Sequence, residues 1–570
     1  MLLPSQIIVP GKLVESWLRE RDNLVSVDAV SRLWAKDVTL WPRAPGQEQF
    51  VRANLAWLDL PDQVGPYMNR VATLAAVVER EGFKDVVFIA MGDSNLAAES
   101  VSRTAAERRP QRFFLIDSTD PAAIRAVDEK LNLGVTVFIF ANKSGKRIET
   151  HALLLYFLER LRAQDAGEPG RCFVAVTEDG SYLSELARNY GFLGCFLDPP
   201  GIKGRYSSLI HFGLLLSALW RSDPQVLVSR AVAMRDLCRQ SAANSKNPAL
   251  DLAALLAAGA IEGSDKLLLI ATESLRPSTY RIGQLVGASM SRKGRGLIPV
   301  CEELPKSLEI YKRSSLAVSL TMQGDDDAAV KTIETQLKQA GVPTVSIALG
   351  DAEDLGAELF KWEIATALAC ASLNVNPFDE PDVQEGRGRV SEMLETLVVK
   401  HQWPAHTVRV RDKDIELYAE GETRQEISTL NLSEALRTFF EARNPDGYLA
   451  IITFAGGSPS TDAALEALRD RLEARLSIPV LLSSGPRYLR YFEQVYKGGP
   501  PNGLFLILTS ESTQDIAIPG AGYTFGQLQL ALALSDFESL QSRKKLAVRL
   551  HLTQGLAAGL AELEQIARKL

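Results

Sequence analysis

Histidine and cysteine are both scarce in this 570-residue chain, with five of each. The cysteines, Cys172, Cys195, Cys238, Cys301 and Cys370, are scattered and odd in number. That argues against a disulfide framework or a cysteine-based zinc site and fits reduced thiols in a cytoplasmic protein. Long apolar runs are missing too. The longest, Ile210–Trp220 and Leu252–Ile261, fall well short of the roughly 20 residues that a membrane span needs. The first residues have no basic start leading into an apolar core, so no secretory signal is expected. There is no basic excess, since 63 Lys and Arg face 70 Asp and Glu, a net charge of −7. A chain of that sign lacks the field that neutralises nucleic-acid phosphates or an anionic membrane surface, and neither is expected as a partner. The generic nucleotide signals are absent as well. There is no G-x-x-x-x-G-K-[ST] loop, and no G-x-G-x-x-G opens the first helix.

What the chain does have is a recurring alternation. Asp85–Met91, Arg112–Ser118, Gly134–Ala141, Arg171–Val176 and Gly194–Leu197 are short apolar runs separated by helical stretches. Lys266–Ala271, Gly296–Val300, Ser315–Thr321 and Thr344–Ala348 repeat the pattern. Tyr448–Phe454, Pro479–Leu482, Leu504–Thr509 and Leu546–Leu552 repeat it again, after a hairpin formed by Val408–Arg411 and Ile415–Tyr418. Continuous apolar strands alternating with helices predict an α/β fold of doubly wound parallel sheets covered on both faces. The expected division is an N-terminal helical segment at 1–50, then blocks at 51–240, 241–400 and 401–570. Near the end of the second block, the Pro-, Asp- and Gly-rich stretch Asn374–Gly388 is expected as a linker.

Ligands of such sheets bind at the carboxyl ends of the strands, which directs attention to the loops. In Met91–Asn95, a glycine and a helix N-terminus suit an anion, while Asp93 or Ser94 serves equally well as a helix cap. Asn142–Thr150 offers an amide side chain, hydroxyls and three cations to a phosphate, or forms a solvated basic turn. Arg205, in the Gly-rich turn Asp198–Ser208, either stabilises an oxyanion or caps helix carbonyls. Asn376–Arg387 holds four carboxylates, one of which becomes a general base if a pocket raises its pKa. In a linker, such groups are otherwise solvated.

Taken together and in this order, the loops resemble the phosphoglucose isomerase family. More closely, the chain resembles the isomerase half of the bifunctional transaldolase/glucose-6-phosphate isomerases, from about Arg32 to the C-terminal helix. The family's Gly-Gly-Ser-Ser-Leu-Ala-Pro-Glu motif corresponds to Gly92–Glu99, its Ser-Lys-Ser-Gly-Thr-Thr-Thr-Glu-Thr loop to Asn142–Thr150, and its Gly-Gly-Arg-Tyr-Ser segment to Lys203–Ser207. The base-bearing segment corresponds to Asn376–Glu385, and Gly485–Leu489 followed by Lys497-Gly498-Gly499-Pro500 is also typical. The resemblance implies tandem sugar-isomerase domains followed by a C-terminal α/β block. It further implies metal- and cofactor-free interconversion of glucose 6-phosphate and fructose 6-phosphate through a cis-enediolate. On that basis Glu385 is the base, Arg205 stabilises the enediolate and Glu149 supports the acid/base machinery. Ser94, Lys143 and Ser144 line the phosphate site, with Asn142, Lys146 and Arg147 in the same loop. The expected partner is a small phosphosugar, and a homodimer or an association with a related subunit fits the family.

The chain also departs from the pattern. Asp93 replaces a glycine, Asn142 replaces a serine, and Lys146-Arg147-Ile148 replaces the threonine run. In the bifunctional relatives a segment resembling His-Ser-Thr-Gly-Gln-Leu-His-Lys-Gly-Gly supplies the ring-opening histidine. Here it reads Arg490–Gly499 and contains no histidine. Gln529 stands where related chains often carry lysine. Of the five histidines, His151 and His211 read as core residues, and His401, His406 and His551 as surface residues. Three readings follow: a working glucose-6-phosphate isomerase, a sugar-phosphate-binding pseudoenzyme with a regulatory or structural role, and an isomerase of another phosphosugar.

Overall fold

The apolar runs form three sheets. The computed structural model describes residues 5–11, 13–92, 100, 111–143, 145, 147–164, 167–219, 223–240, 247–301, 304–404, 406–420, 427, 431–456, 458–485, 492–512 and 514–569. The first sheet is wholly parallel. Its order is β3 (Arg112–Ile116), β2 (Asp85–Ala90), β4 (Thr136–Ala141), β5 (Phe173–Glu178), β6 (Gly194–Asp198). Every residue of β2 and β4 is buried, which is why both read as unbroken apolar runs rather than alternating ones. The charge in β2, Asp85, is fully buried and held by Arg112 of the neighbouring strand through two hydrogen bonds of 2.7 and 2.8 Å.

The second sheet runs β1 (Gln6–Ile8), β10 (Thr344–Leu349), β9 (Ser315–Met322), β7 (Lys266–Ala271), β8 (Ile298–Val300). All its pairings are parallel except that of β1, which lies antiparallel on β10. The N-terminal segment, expected to be helical, therefore also supplies an edge strand. Only three residues form it, too few to show a period. Helix α1 (Leu13–Ser26) follows, and Trp17 donates to the Asp251 carbonyl at 3.0 Å, fastening this segment to the second sheet's helical layer.

The third sheet runs β11 (Val408–Asp412), β12 (Ile415–Tyr418), β16 (Leu546–Leu552), β15 (Gly503–Ser510), β13 (Tyr448–Phe454), β14 (Val480–Ser484). The expected hairpin is β11–β12, which joins antiparallel to a parallel core. Because β16 is internal, His551 is half-buried and meets Thr509 Oγ1 at 3.1 Å. His406 is half-buried as well. Neither is the surface residue expected from sequence. His151 is half-buried, edge-on to the Tyr182 ring, and the side chain of His211 lies outside the described residues.

Six helices position the site: α2 (Ile148–Arg162), α3 (Arg276–Met290), α4 (Leu355–Ser372), α5 (Pro381–Lys400), α6 (Glu493–Gly498) and α7 (Phe525–Ser542). Helix α4 is buried on nearly all sides, from Leu355 to Cys370. Helix α5 corrects the linker expectation. Pro381 stands in its first turn, where the missing N–H costs nothing, and Val390, Met393, Leu394 and Leu397 form its buried stripe. None of the helices among the described residues is long and apolar enough to cross a membrane.

Candidate active site

The start of the Asn142–Thr150 loop, loop two hereafter, is shaped by strand β5. The Asn142 carbonyl accepts from Thr177 Oγ1 at 2.7 Å and from Gly145 N at 3.0 Å, and Glu178 N donates to the Lys143 carbonyl at 2.9 Å. Gly145 has φ +66°, and a Cβ there would lie 2.8 Å from Ser181 Cβ, so the turn needs glycine. Asn142 is buried. Its side-chain Oδ1 has no hydrogen-bond partner among the described residues. Lys143 does not reach outward: its ammonium donates to the Ile202 carbonyl and lies 3.9 Å from Glu178. Ser94, Ser144 and Lys146 lie outside the described residues.

Arg205 is 1% exposed and fully engaged. Its guanidinium donates to Ser289 Oγ at 3.1 Å, to the Pro377 carbonyl at 2.7 Å and to the Glu380 carboxylate. Arg281, equally buried, holds the turn from beneath by donating to the Gly204 and Arg205 carbonyls. Burial pushes the Glu380 carboxyl up, but Arg205, Lys203, Arg387 and Arg292 outweigh it and hold the pKa down at about 2. Arg205 and Glu380 thus clamp the Gly-rich turn Asp198–Ser208, loop three hereafter, to the start of α5. In this arrangement the cation expected to face an enediolate spends its charge on a protein carboxylate.

Glu385, the expected base, lies on α5 with its side chain 42% exposed. It pairs with Arg389 one turn on and accepts from Arg543 at 2.6 Å. Arg543 also bridges to Asp382 at 2.8 Å. These hydrogen bonds hold the Glu385 carboxyl below its ordinary value. That is the opposite of the raised value a general base near neutrality calls for.

The next residues on α5 do line a cavity of about 320 Å³. Its wall brings together Arg147, Ile148 and Glu149 at the start of α2, Gly386, Arg387 and Gly388 on α5, Glu493 and Lys497 on α6, and Ser535 and Asp536 on α7. Glu149 is 1% exposed and sits in the first turn of α2, where the helix dipole favours its charge. Lys497, 1% exposed, lies 2.6 Å from Glu493 and 3.0 Å from Asp536. Burial pushes the Lys497 ammonium down, but the two carboxylates prevail and raise its pKa. Gly386 makes room for this group, since a Cβ there would lie 3.1 Å from Glu493 Oε1.

Of the residues proposed from sequence, Arg147 and Glu149 therefore share the cavity. Glu385, Arg205 and Lys143 are engaged outside its lining, and Asn142 is buried at the turn. Glu493 and Asp536 were not singled out in the sequence. The signal for Asp536 is a lone carboxylate in an apolar helix, Leu528–Phe537. Tyr496, in the segment that the family resemblance expects to carry a histidine, is buried in an aromatic cluster with Tyr448, Phe492 and Phe505.

The fold, α/β with largely parallel sheets, has counterparts among solved structures. It is similar to a hypothetical protein from Thermus thermophilus (TM-score 0.59, 20% identity, 68% of this chain and all of that one). It is also similar to a glucose-6-phosphate isomerase from Chlamydia trachomatis (TM-score 0.51, 16% identity, 66% of this chain and 78% of that one). No protein-family model matches. In sequence, the chain is 24% identical over 405 residues to a probable glucose-6-phosphate isomerase of Haloquadratum walsbyi, covering 65% of this chain and 92% of that protein. It is 24% identical over 337 residues to a glucose-6-phosphate isomerase of Methanocaldococcus jannaschii, covering 53% and 82%.

Proposed function

We propose that the chain is a sugar-phosphate isomerase that interconverts glucose 6-phosphate and fructose 6-phosphate through an enediolate, without a metal. The observation that carries this reading is the cavity. It joins the end of loop two, helix α5 and Lys497 of the Lys-Gly-Gly segment, each more than 100 residues from the next in sequence. Relatives named glucose-6-phosphate isomerase add support. So do the loop motifs, which liken the chain to the isomerase half of a bifunctional transaldolase/isomerase.

The chemistry suits the lining. Arg147 and Arg387 offer fixed positive charge to a phosphate or an enediolate. Glu149, the sequence-proposed carboxylate that reaches the wall, takes a proton from C2 and returns it to C1. Glu385 is assigned to the ion-pair network of α5 instead.

The test is a coupled assay with fructose 6-phosphate on the wild type, Glu149→Gln and Glu385→Gln. Turnover that survives EDTA and Glu385→Gln, but falls at least about 100-fold in Glu149→Gln, is expected. A folded wild type without turnover overturns the isomerase reading. Loss confined to Glu385→Gln moves the base to Glu385. The second reading, a phosphosugar-binding pseudoenzyme, is favoured by one observation, the engagement of Arg205 by Glu380. It predicts binding of fructose 6-phosphate without turnover.

A further inference from the structure

The two carboxylates beside Lys497 are not used alike. Glu493 lies one turn before it on α6, with Oε1 at 2.6 Å. Asp536 reaches in from α7 and spends only Oδ1 on the ammonium, at 3.0 Å. Its other oxygen, Oδ2, is buried and has no hydrogen-bond partner among the described residues, although the side chain is only 4% exposed. An unsatisfied buried acceptor is rare and costly in a stable fold, and one that borders a cavity is placed to receive a donor from a ligand. On the same helix Leu532, Ala533, Leu534 and Phe537 are apolar, and the neighbouring Ser535 hydroxyl donates to the Gly386 carbonyl at 2.9 Å. Sugars present hydroxyl donors, and the segment that carries the ring-opening histidine in the resembling family contains none here.

Taking the chain as an isomerase of hexose phosphates, we propose that Asp536 is its ring-opening group, with Oδ2 accepting the anomeric hydroxyl of the cyclic substrate. For cyclic glucose 6-phosphate, the O1 proton passes to Oδ2, the C1=O1 double bond forms, and the C1–O5 bond breaks with its electron pair going to O5. Asp536 then returns the same proton to O5, so nothing is consumed. The ketose opens at C2 in the same way. Lys497 is a positioning residue that fixes the carboxylate through Oδ1. The charged groups around Asp536 are Lys497 and Glu493 from α6, Arg387 from α5, and Arg147 and Glu149 from α2. None is a histidine, so among these groups only the substrate's phosphate, with a second pKa near 6, titrates in the histidine range.

Ring opening can be read separately from isomerisation, as the exchange of fructose 6-phosphate anomers followed by NMR. The wild type is expected to accelerate this exchange. Asp536→Asn, which keeps the shape and an oxygen for Lys497, is expected to lower both exchange and isomerisation about 100-fold, with KM within roughly threefold. A four-carbon aldose phosphate, too short to close a pyranose ring, is expected to keep its C2 proton exchange in the variant. Anomer exchange in Asp536→Asn within roughly threefold of wild type overturns the proposal and leaves the isomerase reading standing. Exchange by a wild type that does not isomerise supports Asp536 while overturning that reading. A wild type that does neither overturns both. Should Asp536→Asn fail to fold, the wild-type exchange rate decides. Measured on fructose 6-sulfate, whose anion does not titrate in this range, flatness between about pH 5.5 and 8 supports a carboxylate, and loss through the histidine range overturns it.

Discussion

Two buried cations in this molecule meet carboxylates in opposite ways. Arg205 has a partner at each guanidinium nitrogen, in Ser289, Glu380 and the Pro377 carbonyl, and it is sealed beneath loop three. Lys497 is equally buried, but one oxygen beside it has no donor among the described residues, and it borders a cavity. The first arrangement closes its hydrogen bonds within the protein and serves as a clasp. The second leaves capacity for a ligand. Burial of charge therefore does not by itself mark a reactive site. What distinguishes the two is whether the donors and acceptors balance without a partner.

Removing either cation is the strongest way to probe this contrast. Arg205→Leu leaves Glu380 beside the core without its main partner and is expected to cost about 3–5 kcal/mol, read from the shift in a denaturant midpoint. Lys497→Met, which leaves Glu493 and Asp536 facing each other, is expected to cost a similar amount. The two variants should separate on acidification. Glu380 has a depressed carboxyl in the wild type, so its contribution is complete above about pH 4.5 and is lost as pH falls toward 2. With a shift of this size it is on the order of 3 kcal/mol, and Arg205→Leu should flatten that acid limb. In Lys497→Met the unpaired carboxylates bind protons more tightly in the fold than when unfolded. Lowering pH from about 7 to 5 should therefore restabilise that variant. Identical pH profiles for the two would erase the distinction.

A smaller effect is expected from Gly386→Ala. Its Cβ would press on Glu493 Oε1 at 3.1 Å, costing about 1 kcal/mol in stability and about tenfold in turnover. The smallest belongs to Glu385→Gln. Its partners sit at a solvated surface, and the midpoint should move by less than about 0.5 kcal/mol.

The strands were legible because doubly covered parallel strands are continuous apolar runs, as in Asp85–Ala90 and Tyr448–Phe454. Helix α5 was not, because Pro381, Gly386 and Gly388 carry a linker's composition, while the stripe that defines the helix begins only at Val390. Site residues divided in the same manner. Arg147 follows from the cations of a loop at the head of a helix, and Glu149 from the resemblance of that loop to the family's. The direction in which Glu385 points is decided by Arg389 and Arg543, the latter more than 150 residues away, and no local pattern carries that. Asp536 is visible as a charge in an apolar run, but its role depends on Lys497, which tertiary structure alone brings to it.

The antiparallel strand β1 bears on the order in which the chain is assembled. Residues 85–198 supply the whole first sheet in one continuous stretch, so it closes as it leaves the ribosome. Gln6–Ile8 emerge before any of it, yet their partner Thr344–Ser346 is made more than 330 residues later. The start of the chain must wait through the birth of an entire sheet, and the second sheet keeps an open edge until the earliest residues return to cover it.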